Sequence, residues 1–157
     1  MSTVIYRLCK IAHIIGLSLF LGSIFSHIVA SIGGGPPGNP SFIAAREHIS
    51  AATRFLTMPG LMLCLMTGIS MCFLKGTSSL RQRWLLLHAI LAVIVVILSV
   101  TVIVPAGEQT RALAHASAKP AEILAAKRVE DIAGAINILL TLTMISLSVF
   151  RPRLGQN

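Results

Sequence analysis

The stretch CKIAHIIGLSLFLGSIFSH, residues 9–27, carries one cation, Lys10, and beyond it no charged side chain. A helix needs about 20 mainly apolar residues to cross the hydrocarbon of a bilayer. The run from about 11 to 32 meets that length and ends at GGGPPGNP, a cluster of breakers that reads as a loop. Two histidines, His13 and His27, sit inside it. An ionisable ring in hydrocarbon is costly, so each is a candidate for function.

Three further stretches have the same character. They run over about 51–74, with Pro59-Gly60 inside, about 84–104, stopping at Pro105-Ala-Gly, and about 132–150. Only 11% of the 157 residues are charged, against about 25% in a soluble domain. The expected fold is all-α, an integral membrane four-helix bundle, antiparallel and up-down-up-down, forming one transmembrane domain over 1–157. The segment 105–131, rich in alanine and charge, reads as an outer loop or amphipathic stretch at the surface. The N-terminal apolar run is longer than that of a cleavable signal, and no internal repeat is visible.

Charge sets the expected orientation. The N-terminus, the loop between spans two and three and the C-terminus hold Arg7, Lys10, Lys75, Arg81, Arg83, Arg151 and Arg153 with no acidic residue. The opposite side mixes Arg46, Arg54, Arg111, Lys119, Lys127 and Arg128 with all five acidic residues. Both termini are therefore expected on the cytoplasmic side of a bacterial inner membrane. The net charge of +8 then anchors the chain to a bilayer and needs no nucleic acid. Cys9, Cys64 and Cys72, an odd number in apolar surroundings, do not suggest a disulfide framework. No phosphate-binding loop, GxGxxG, HExxH or GxSxG occurs.

Fourteen residues turn a helix through about 1,400° and advance it about 21 Å, so His13 and His27 share a face near opposite ends of span one. Gly16 lies on the same stripe, where it would leave space for something flat. His88, four residues after Trp84, enters span three at the depth of His13. Two imidazoles at one depth on different helices are what axial haem ligation requires. Arg7, Lys10, Arg81 and Arg83, at the same end, suit haem propionates. His27, His48 and His115 form an outer group in which a second haem or a metal ion would have its ligands. Position 102, fourteen after His88, is valine, so a four-histidine set on two helices is incomplete. Met58, Met62 and Met66 recur at four-residue spacing with Cys64 and Cys72 nearby, a weak signal for copper(I), since flexible packing around Pro59 explains them as well. Gly16, Gly22, Ser23 and Ser26 on span one, and Gly134, Asn137, Thr141 and Ser148 on span four, suit helix contacts.

LCKIAHIIGLSLFLG (8–22), RFLTMPGLMLCLMTGISM (54–71) and RWLLLHAILAVIV (83–95) resemble the first three helices of small bacterial four-helix membrane proteins. These include the HemJ-type protoporphyrinogen oxidases and the CopD-like copper-resistance proteins. The resemblance implies a haem b site with its first-helix histidine at His13. Where the HemJ group carries a functional lysine after its third-helix tryptophan, this chain has His88, which favours bis-histidine ligation over porphyrin oxidation. The leading expectation is a haem b electron-transfer protein, with one haem and room for a second. A membrane oxidoreductase of the HemJ kind and a copper-handling protein are the alternatives. The partners implied are the bilayer, a quinone or another redox protein, and further copies of the chain.

Overall fold

The computed structural model describes residues 2–75 and 82–151. They form four long helices: α1 (Ser2–Gly33), α2 (Pro40–Lys75), α3 (Arg83–His115) and α4 (Pro120–Phe150). Each is long and apolar enough to cross a membrane. Short connections make sequence neighbours antiparallel, and no strand occurs among the described residues. This is the four-helix membrane bundle expected from the four apolar runs.

The turn between α1 and α2 uses Gly35 and Gly38 at φ of 70° and 96°, a region that a side chain makes costly. Asn39 then caps α2, its side chain accepting from the Ser41 N–H at 3.1 Å. Pro40 occupies the first turn, where a missing N–H costs nothing.

Two prolines lie inside helices, and both are handled alike. A π-helical turn at Thr53–Thr57 precedes Pro59, and another at Ser99–Ile103 precedes Pro105. A proline removes one backbone hydrogen bond and crowds the carbonyl four residues back. The widened turn before it takes up that disturbance. The expected stop at Pro105 is therefore corrected: α3 runs on to His115. The segment 105–131 is the end of α3, a short turn, and the start of α4. Likewise α2 begins eleven residues before the expected 51. At about 1.5 Å per residue, the 36 residues of α2 and the 33 of α3 outrun a hydrocarbon core of about 30 Å. Their polar ends, with the start of α4, form a collar at the end of the bundle opposite the termini.

The bundle is apolar outside and partly polar inside. Ile14, Phe25, Val29, Phe55, Ile97 and Leu139 are exposed, whereas Ser23, Ser99, Thr110, Asn137 and Thr141 are buried. All four helices meet at one apolar cluster of Phe20, Leu61 and Val95, with Ile24, Val96, Leu140 and Met144 packed around it. A second cluster, Phe42, Ala114 and Ile123, lies within the collar, toward its outer tip. α1 packs along α2 and α3 along α4, giving two hairpins. The hairpins join mainly where the start of α2 meets the end of α3.

Gly16 does not leave space for a flat group. A Cβ there would lie 2.9 Å from the Gly60 carbonyl, and one on Gly60 would lie 2.8 Å from the Gly16 carbonyl. The two glycines let the backbones of α1 and α2 touch, the small-residue device of membrane helix pairs. Gly22 and Gly134, also expected at contacts, face open space. Gly60→Val should therefore cost about 1–3 kcal/mol of stability by overpacking, seen as a lower thermal midpoint in detergent. Gly22→Ala should leave that midpoint where it is.

Candidate functional site

His13 lies seven residues before Phe20 on α1, and His88 lies seven before Val95 on α3. Phe20 and Val95 belong to one cluster, and both helices run from the termini toward the collar. Seven residues are about two turns, or 10 Å, and return a helix to nearly the same face. The two histidines thus stand level, one on each hairpin, on the termini side of the apolar cluster.

Each ring is held by its own hairpin. His13 Nδ1 is 3.0 Å from Thr67 Oγ1 on α2. The Thr67 hydroxyl already donates to the Leu63 carbonyl, so its oxygen accepts and the proton sits on His13 Nδ1. His88 Nδ1 is 3.2 Å from the Met144 carbonyl and 3.1 Å from Ser148 Oγ on α4. A carbonyl only accepts, and Ser148 donates to that same carbonyl, so His88 also carries its proton on Nδ1. In both rings Nε2 is left as a bare lone pair, with no hydrogen bond among the described residues.

The surrounding candidates divide. Arg7, Lys10 and Arg83 are exposed at the level of the termini. Arg81 lies outside the described residues. Trp84 donates its Nε1–H to Gln82 at 3.0 Å and stacks on Arg151, 5.7 Å from the ring centre. Lys75 sits over Tyr6 at 5.3 Å in the other hairpin, so a cation–aromatic pair closes each hairpin at this end. Gly68 comes within van der Waals reach of His13, a Cβ there falling 3.6 Å from the ring.

The outer histidines are not gathered into one site. His27 Nε2 lies 3.4 Å from Thr53 Oγ1, His48 Nε2 2.8 Å from Ser26 Oγ, and His115 Nε2 2.6 Å from Glu47. Among the described residues no three His, Cys, Asp or Glu side chains come together as a metal ion would need. Met62 and Met66 point out of the bundle, 67% and 65% exposed, away from Cys64, whose thiol contacts the His13 carbonyl at 3.5 Å.

The collar holds a feature that the sequence did not single out. Arg46 of α2, 2% exposed, donates to Glu130 of α4 at 2.8 Å. Glu108 of α3 accepts from Ser50 at 2.6 Å and Arg111 at 2.9 Å. Arg111 also reaches Glu47 at 3.0 Å. Outside the membrane-crossing stretches, His115 and then Arg111 hold the exposed Glu47 carboxyl below its ordinary range. Breaking a buried ion pair from one side costs about 3–5 kcal/mol, while an apolar replacement of both partners is tolerated. Arg46→Ala should accordingly lower the thermal midpoint in detergent sharply, and Arg46→Met with Glu130→Leu should restore most of it.

No curated protein and no solved structure matches the chain. One family model, described as Predicted integral membrane protein (DUF2269), matches residues 7–152, nearly the whole sequence and all four helices. The chain belongs to that family of multi-pass integral membrane proteins.

Proposed function

We propose that the protein binds haem b between its two hairpins, where His13 and His88 would hold the iron, and serves in membrane electron transfer. The observation that supports this is the pair of level imidazoles, each protonated on Nδ1 and bare on Nε2. Metal-bound histidines characteristically donate their other nitrogen to a carbonyl or an oxygen acceptor, which fixes the tautomer and raises basicity. The donor set fits the group: two neutral imidazoles on different helices leave no protein ligand to be displaced. Bound haem would supply one-electron chemistry.

The protein's own residues do the rest. Thr67, Ser148 and the Met144 carbonyl orient the two rings. The Phe20–Leu61–Val95 cluster bars water from the collar side. Arg7, Lys10 and Arg83 offer cations to anionic groups at the termini end, which the positive-inside rule assigns to the cytoplasm of a bacterial inner membrane. A quinone or another redox protein is the expected electron partner.

Protein purified from haem-supplied cells should be red, with a low-spin spectrum and one haem per chain in a pyridine haemochrome assay. His13→Ala and His88→Ala should each abolish that spectrum. Thr67→Val should retain the colour but lower haem affinity by about 10–100-fold and raise the midpoint potential, because a less basic imidazole stabilises ferric iron less. A colourless wild type, or a spectrum unchanged in both alanine variants, overturns the assignment.

A further inference from the structure

A small cavity of about 20 Å³, with both polar and aliphatic walls, lies inside the collar, bordered by all four helices. His27 of α1, Arg46, Ser50 and Thr53 of α2, Gly107 and Glu108 of α3, and Glu130 of α4 line it. Its size admits about one water molecule. Two residues that line it each carry a buried side-chain atom without a hydrogen-bond partner among the described residues: Arg46 Nε, a donor, and Glu130 Oε2, an acceptor. Each unmade bond of this kind costs about 1–3 kcal/mol, so both atoms call for a partner. Gly107 keeps the room open, since a Cβ there would lie 3.2 Å from Glu130 Oε1.

We propose that this cavity is a proton-binding site: Glu130, held on Oε1 by Arg46, takes up a proton on its unpartnered Oε2 from the collar face. The balance is simple. A hydronium ion arriving through the cavity mouth transfers its proton to Oε2 and leaves a neutral water in place. Glu130 Oε1 keeps its bond from Arg46 in both states.

The charges facing Glu130 make uptake favourable to arrange. Arg46 is 98% buried there, and Glu108 brings a second carboxylate to the same cavity. Glu108 is shared with Arg111 and, at 3.9 Å, Arg54, both partly exposed. On α4 itself Asp131 adds a negative charge, and Lys127 is occupied with Asp131 at 2.6 Å. From α1 the site meets His27, which donates toward Thr53. Two carboxylates at one cavity with a buried guanidinium favour a proton on the more enclosed one. The inference stands apart from haem binding.

The test is infrared difference spectroscopy of the full chain in lipid nanodiscs, titrated from alkaline to acidic pH. A carboxylic acid C=O band at the high frequency of a buried group should appear, shift on deuterium exchange, and vanish in Glu130→Gln. Glutamine keeps the bond to Arg46, and Glu130→Asp should move the band without removing it. His13→Ala should leave the band unchanged, so failure of the haem assignment and failure of this one are separable. Identical difference spectra for wild type and Glu130→Gln overturn the proposal. So does a band that survives Glu130→Gln and is lost in Glu108→Gln.

Discussion

The contact of Gly16 with Gly60 fixes how α1 lies on α2, and the first hairpin follows from it. Backbones this close lock the axial register of the two helices, because any slide drives a Cβ into a carbonyl. In that register Thr67 comes opposite His13, Thr57 donates to Ser23 at 2.8 Å, and Thr53 meets His27. Lipid gives helices no hydrophobic reason to associate, so close packing and hydrogen bonds between helices carry the pairing. One crossing point thereby places every polar contact of the hairpin.

The second hairpin repeats this chemistry without a visible repeat in sequence. A histidine on its first helix is held by a hydroxyl on its second, His88 by Ser148 as His13 is by Thr67. A serine farther along the first helix bonds the second, Ser99 with Asn137 as Ser23 with Thr57. A cation–aromatic pair closes each hairpin at the same end. The Phe20–Leu61–Val95 cluster then joins two similar units. What differs is the far end, where His27 has no counterpart at Val102 and the second hairpin instead contributes Glu108 and Glu130 to a charged collar.

The four spans were legible because mean hydropathy over about 20 residues is a local property. The common depth of His13 and His88 was legible for the same reason, since distance along a helix is fixed by residue number. The collar was not. Pro105-Ala-Gly reads locally as a stop, and only a π-helical turn three-dimensionally compensated by its neighbours carries α3 through it. Arg46 and Glu130 are 84 residues apart, and charge counting assigned both to a polar exterior. Gly16 admitted two readings, helix contact and space for a flat group, because a missing side chain looks the same whether another backbone or a ligand fills the gap; the contact is what the structure shows.

The widened turns at Thr53–Thr57 and Ser99–Ile103 each hold one residue more than an ordinary turn over nearly the same rise. Everything beyond them is therefore rotated by about 100° relative to an unbroken helix. An ancestor lacking those extra residues would present a different set of side chains to the collar while keeping the paired histidines untouched. Homologous chains that lack either turn should accordingly align with a single-residue gap in the middle of a transmembrane helix, a place where gaps are ordinarily forbidden.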